Sequence, residues 1–269
     1  MLDDFEGFTS GNETMHKHSD RWGKLSFGVG VLDTLTGGGI PRRGIVELAG
    51  DPGAGKTQIA LRLALNVQRQ VEGSSVVYVA TEHPFPSRRL LQMESEYKRL
   101  HHSDGAVQRH NFADHILVER VTNVPTLMAC LFERLPRLLE KTVVSLLIID
   151  SITSPFLDEE DYVERAETFR TMVHDLHRYQ ERHNMAILVT NQVRCVFDSW
   201  PLDNAQIVPA LGLAWGSLVH TRIQLSRLTN TNNKQCTVVF GPTIRPAHGF
   251  FHINNSGPAD VVNQSVGDD

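Results

Sequence analysis

Strands alternate with helices through most of this chain, and a run of strands closes it. That order predicts an α/β fold: a mainly parallel central sheet flanked by helices, with a C-terminal antiparallel extension. Three observations carry the prediction. Apolar runs such as 44–50 (GIVELAG) and 143–150 (VVSLLIID) lack alternation, as strands do when both sheet faces are covered. The stretches between them repeat apolar residues at helical spacing. From Leu218 onward the pattern becomes short strands joined by turns, with TNTNN at 229–233 as a hairpin signal.

Residues 1–24 are polar and read as an arm or linker. A short helix between turns follows within 25–44. The strand at 44–50 leads into a helix at 56–71, where Ile59, Leu61, Leu63, Ala64 and Val67 recur at helical spacing. A strand at 74–81, an amphipathic helix at 87–100 and a strand at 115–121 come next. Residues 125–141 read as a helix that Pro136 should kink or shorten. The strand ending at Asp150 is followed by a long helix, 162–183, and a buried strand, 185–191. Strands at 220–228, 234–241 and 248–254 complete the core, set at 25–262, and 263–269 reads as a disordered tail.

Composition narrows the function. With 269 residues, 41% of them hydrophobic and 21% charged, the chain has enough for one large α/β core. Its longest apolar runs are far short of the ~20 residues of a membrane helix, and its acidic start is no signal peptide. Three scattered cysteines, without a CxxC pair, argue against a disulfide framework or zinc site. His174 and His177, and His101 and His102, have no third ligand at a recognisable spacing. A net charge of −5 does not advertise nucleic-acid binding, so any DNA contact must be local or shared with a partner.

The informative phrase is GDPGAGKT, residues 50–57, which fits G-x-x-x-x-G-K-[ST] between an apolar strand and an amphipathic helix. The candidate cofactor-binding stretch is Gly50, Asp51, Pro52, Gly53, Ala54, Gly55, Lys56, Thr57 and Gln58. Glycines there let backbone N–H groups turn toward phosphate, and the helix N-terminus adds partial positive charge. Lys56 would reach the β/γ-phosphates of ATP, and the Thr57 hydroxyl would ligate Mg²⁺. Asp150 ends a hydrophobic strand and is the second candidate for the metal. Glu82, just after the second strand, is placed to polarise a water, and Gln192, after the strand that follows Asp150, to sense the γ-phosphate.

The order of P-loop, TE at 81–82, hydrophobic-D at 150 and TNQV at 190–193 resembles the RecA-like recombinase family. LSFGVGVLDTLTGGGIPRRGIVELAG, TEHPFPSRRL, IIDSITSPF and PALGLAWGSLVHTRIQL narrow the likeness to its eukaryotic recombinase paralogues, over residues 5 to 262. The resemblance implies a RecA-like P-loop core and an ATPase that is DNA-dependent and slow in isolation. It implies catalytic Lys56, Glu82 and Gln192, and metal ligands Thr57 and Asp150. Arg89 stands where the family stacks a guanidinium on adenine, while Arg88 reads as a surface charge. It further implies an ATP site shared between protomers, a nuclear location with the cytoplasm also open, and hetero-oligomers with other paralogue subunits and the main recombinase. The expected role is homologous-recombination repair on single-stranded or branched DNA; the rival is a scaffold that uses ATP as interface glue.

Four departures qualify that likeness. The chain is expected to begin at the family's linker, without its helical N-terminal DNA-binding domain. Residues 158–161 are four consecutive acids where a recombinase has a basic DNA-facing loop, and phosphate would be repelled there. In the second loop, 194–209, Arg194 faces Asp198 and Asp203 in sequence. Phe197 and Trp200 there are open either to base stacking or to packing against a partner. Phe240 stands where the family's trans-acting cap carries an acid. In the arm, EGFTSG resembles the family's Phe-x-x-Ala oligomerisation motif, with Phe8 as anchor and Gly11 in place of alanine.

Overall fold

The computed structural model describes residues 23–197, 205–229 and 231–261. Strand β1 (Lys24–Leu25) pairs antiparallel with β2 (Ile40–Pro41) around helix α1 (Gly30–Thr36). Then come β3 (Ile45–Gly50), α2 (Lys56–Gln70), β4 (Ser75–Ala80), α3 (Ser87–Leu100), α4 (Gly105–Arg109) and β5 (Ile116–Arg120). Helices α5 (Val124–Ala129) and α6 (Leu135–Leu139) precede β6 (Val144–Asp150), α7 (Tyr162–His183) and β7 (Ala186–Asn191). A hairpin of β8 (Val193–Phe197) and β9 (Ala205–Pro209) leads to α8 (Gly212–Gly216). The chain then runs through β10 (Thr221–Arg227), β11 (Asn233–Phe240), β12 (Ala247–Asn254) and β13 (Gly257–Asp260).

Nine of these strands make one sheet in the order β13-β12-β11-β10-β3-β7-β6-β4-β5. From β10 to β5 every pairing is parallel, and β11, β12 and β13 add on antiparallel, as the strand-and-helix pattern predicts. Side chains alternate along each strand, so the sheet feeds two cores. Leu48, Tyr78, Ile148 and Leu188 pack with Ile59, Leu63, Leu90 and Met93 of α2 and α3. Val79, Ile149 and Val189 pack on the other face with Phe169, Met172 and Leu176 of α7 and with Trp215 of α8. Each fully buried side chain of this size contributes about 1.5–3 kcal/mol relative to exposure. Among the described residues no helix is long and apolar enough to cross a membrane.

One local expectation holds and one needs correction. Residues 124–139 are helical throughout, with an irregularity next to Pro136 as expected: α5 and α6 are joined by a π-helical turn, Cys130–Arg134, in which Leu135 N donates to Cys130 O, five residues back. Pro136 falls in the first turn of α6. Its ring would crowd a carbonyl of a regular preceding turn, and the wider turn relieves that contact. The described residues of the stretch 194–209 are not a loop. The strands β8 and β9 pair antiparallel from Val193↔Pro209 to Phe197↔Ala205. Phe8, Gly11, Trp200 and the tail 263–269 lie outside the described residues.

Candidate nucleotide-binding site

Strand β3 runs into a turn and then straight into α2, which starts at Lys56. Gly53 and Gly55 take φ of 77° and 104°, in the left-handed region where side chains are strained. A Cβ on Gly55 would also lie 3.0 Å from Ile253 Cδ1. Gly55 caps α2 without any side-chain bond to the helix, so the first-turn N–H groups have no side-chain acceptor from the cap.

The C-terminal ends of β3, β4, β6 and β7 converge beside this turn, the usual ligand crevice of an open α/β sheet. The cleft there holds about 610 Å³ and brings together Pro52, Gly53, Gly55, Lys56, Thr57, Gln58, Glu82, Arg89, Asp150 and Gln192. These come from five separate places in the sequence. Sequence reasoning missed His83, Ser151, Lys234 and Ile253, which also line it. The last two are brought over the turn by the antiparallel extension, a placement that no local motif encodes.

Lys56 Nζ donates to the carbonyls of Gly50 (2.5 Å) and Asp51 (3.0 Å). Burial lowers its pKa, and Asp150, Glu82 and Asp51 partly offset that. Asp150 is gripped by three hydroxyls. Thr57 Oγ1 (2.8 Å) and Tyr78 OH (2.5 Å) donate to Oδ2, and Thr190 Oγ1 (2.5 Å) donates to Oδ1. The sheet order explains this grip: β6 lies between β4, which carries Tyr78, and β7, which carries Thr190. Burial, and then Asp150, push the Tyr78 phenol well above its ordinary value, so it stays a donor. A hydroxyl and a carboxylate side by side are the hard oxygen donors that suit Mg²⁺, which takes one or two protein oxygens and completes its shell with water and phosphate.

Glu82 and Gln192 meet directly, with Gln192 Nε2 donating to Glu82 Oε2 at 2.8 Å. His83 Nε2 lies 3.6 Å from the other oxygen, Oε1. Arg89 is held at the cleft wall by Gln58 Oε1 (2.8 Å), Gln92 Oε1 (2.5 Å) and the carbonyls of Asn254 (2.6 Å) and Asn255 (3.2 Å). Arg88 beside it is exposed.

Away from the cleft, Asp161 of the acidic run caps α7, accepting from Val163 N (2.8 Å) and Glu164 N (3.1 Å). Arg194 is exposed on β8. Phe240 ends β11 with its ring 5.1 Å from the Arg222 guanidinium, a packing contact within the chain.

The sequence is similar to known proteins over most of its length. The family model described as Rad51 matches residues 21–261. The DNA repair protein XRCC3 of mouse is 34% identical over 220 residues, covering 76% of this chain and 63% of its own length. The bovine protein of the same name is 36% identical over 215 residues, with the same coverage. The DNA repair and recombination protein RadA of Metallosphaera sedula is 28% identical over 249 residues, or 88% of this chain and 72% of its own length. The chain therefore spans about three fifths of the mouse and bovine relatives. With a family match that spans all of the described residues, over a mostly parallel sheet with an antiparallel extension, the chain belongs to the Rad51 family.

Proposed function

We propose that the chain binds Mg²⁺ and ATP in this cleft and serves homologous-recombination repair of DNA breaks as a recombinase paralogue. The single observation that carries the reading is the convergence of Lys56, Thr57, Asp150, Glu82 and Gln192 on one cleft of a Rad51-family fold. In this reading the turn 50–57 cradles the phosphates and Lys56 pairs with them. Thr57 and Asp150 hold Mg²⁺, and Arg89 flanks the base. With ATP bound, Gln192 would meet the γ-phosphate and Glu82 would orient the water. The relatives named for DNA repair support the biological role. It comprises assembly with related subunits and the main recombinase, action in the nucleus, and support of the recombinase on single-stranded DNA. The arm with Phe8 is the proposed anchor to a neighbour.

A second reading, ATP as interface glue with turnover dispensable, is favoured by two observations. Phe240 is committed to Arg222 within the chain, and residues 158–161 are acidic where DNA would need cations.

Titration with a non-hydrolysable ATP analogue in Mg²⁺ tests the core claim. Lys56→Ala should weaken binding by about 1.5–3 kcal/mol, roughly ten- to a hundredfold, by removing one charged phosphate contact. Equal affinity in wild type and variant would remove Lys56 from the site.

A further inference from the structure

The antiparallel extension carries two cations to the phosphate turn. Arg227 ends β10 and Lys234 stands near the start of β11, directly opposite it in the ladder. Directly opposed residues of an antiparallel pair share one face of the sheet. Phe251 on β12 stands opposite Lys234 in turn, and Ile253, two residues on, shares its face. A Cβ on Gly55 would lie 3.5 Å from Lys234 Cδ and 3.5 Å from Phe251 Cε2. A Cβ on Gly53 would lie 3.8 Å from Arg227 Cδ and 4.0 Å from its Nη1. The two stems thus reach the two left-handed glycines of the turn, and Lys234 lines the cleft together with Lys56. Among the described residues neither Arg227 nor Lys234 forms an ion pair.

We propose that Lys234 is a second phosphate contact of the cleft, a cation supplied by the antiparallel extension, and that Arg227 positions it. The inference rests on the reading that the turn 50–57 holds a nucleotide. Three physical points support it. First, like charges directly opposite each other destabilise an antiparallel pair. A cation pair with no carboxylate between its members costs the free fold stability, and an anion bound beside both removes that cost. Second, the place selects the anion. The N–H groups of a glycine turn at a helix start favour phosphate, and the Lys234 stem stands at the same turn, so one polyphosphate meets both sets of donors. Third, the two cations have different tasks. Lys234 lines the cleft and Arg227 does not. A lysine is a compact point charge on a flexible stem, able to follow a phosphate, and repulsion from Arg227 turns its ammonium away from β10. Lys234 is therefore a binding residue and Arg227 a positioning residue. Both belong to the chain that carries the turn, so this contact is in place before any neighbour assembles.

The test removes each charge in turn. A Mg²⁺-loaded, non-hydrolysable ATP analogue is titrated into wild type, Lys234→Met, Lys234→Arg and Arg227→Met at fixed ionic strength, with inorganic tripolyphosphate as competitor. Denaturant unfolding of each free protein is measured alongside. Lys234→Met should weaken both ligands about tenfold, the loss of one charge-assisted contact. The free variant should unfold at the same or a higher denaturant concentration, because the repulsion is gone. Lys234→Arg keeps the charge and should stay within about threefold of wild type; Arg227→Met, acting through Lys234, should weaken both ligands by only about threefold. Analogue affinity in Lys234→Met within about twofold of wild type overturns the assignment. So does a loss confined to the analogue, with tripolyphosphate unchanged, which would put Lys234 on the base or ribose. A drop in the unfolding midpoint of free Lys234→Met overturns it as well, since the lysine would then serve the fold. If Lys56→Ala loses the analogue while Lys234→Met keeps it, the nucleotide reading stands and the second contact alone fails. Failure of wild type to bind the analogue defeats the proposed function, and this contact with it.

Discussion

Asp150 and Glu47 are both strand carboxylates of one parallel sheet, and each accepts three hydrogen bonds. They differ in what donates. Asp150 ends β6 at the cleft, and its donors are neutral hydroxyls, from Thr57, Tyr78 and Thr190. Glu47 lies mid-strand, and one of its donors is the Arg222 guanidinium. Neutral donors orient a carboxylate without cancelling its charge, which leaves Asp150 suited to the cation proposed for the cleft. A guanidinium cancels the charge, so Glu47 is committed to the fold. Whether a buried acid is chemical or architectural is decided by the sign of its partner and by its distance from the strand end.

The largest effect should come from breaking the architectural member. Glu47→Ala leaves Arg222, Trp215 Nε1 and Asn191 Nδ2 facing a cavity. Losing one member of a buried ion pair costs about 3–5 kcal/mol, because the other charge stays buried. Denaturant unfolding of wild type and variant measures it. A loss within the ±0.5 kcal/mol or so of ordinary surface changes would mean that the three bonds to Glu47 do not hold the fold together.

Asp150→Asn should invert that outcome. The amide keeps an oxygen for one or two of the three hydroxyls, so stability should fall by only about 1 kcal/mol, on the scale of one net hydrogen bond. The charge available to Mg²⁺ is gone, so nucleotide affinity measured in Mg²⁺ should fall about tenfold, roughly one charge-assisted contact, and fall little in chelator. Calorimetric titration in both conditions gives the answer. Equal losses with and without Mg²⁺ would sink the assignment of Asp150 to the metal.

The same contrast marks what the sequence discloses. Asp150 ends an apolar strand, Glu82 and Gln192 follow apolar strands, and the turn 50–57 sits between a strand and a helix, so one-dimensional spacing was enough to nominate them, and the structure brings them to one cleft. Glu47 was passed over as part of an apolar run, although a lone acid inside a buried strand is itself a signal of a buried partner. Its partners lie at 191, 215 and 222; the β10-β3-β7 order brings Asn191 and Arg222 beside it, and α8 adds Trp215. Tyr78 and Thr190 escaped for the same reason: they reach Asp150 across strand pairings, not along the chain. The π turn before Pro136 and the pairing of β8 with β9 depend on backbone geometry that composition does not encode. Residues that act through local sequence were legible; residues that act through register were not.

The smallest effect comes from a buried polar group with a poorer environment than either carboxylate. His177 on α7 faces His220 with ring centroids 5.0 Å apart, and among the described residues its Nε2 has no hydrogen-bond partner. Burial first, then the neighbouring His220 and His174, hold its pKa below the ordinary histidine value, while Glu181 pulls the other way. The sign follows from linkage. A lowered folded pKa means that the unfolded chain takes up the proton at higher pH than the folded one. Stability is therefore fully present above the unfolded value of about 6.5 and declines as pH falls from there to the folded pKa, below which both states are protonated. The unfolding midpoint should drop as pH is taken from about 7.5 to about 5.5, and His177→Phe, which keeps a ring in the same space, should flatten part of that slope. His110, also lowered chiefly by burial, adds a parallel decline, so the informative quantity is the difference in slope between wild type and variant. Identical slopes would mean that His177 gains a proton acceptor or water on protonation, and that its unpartnered nitrogen is not a weak point of the fold.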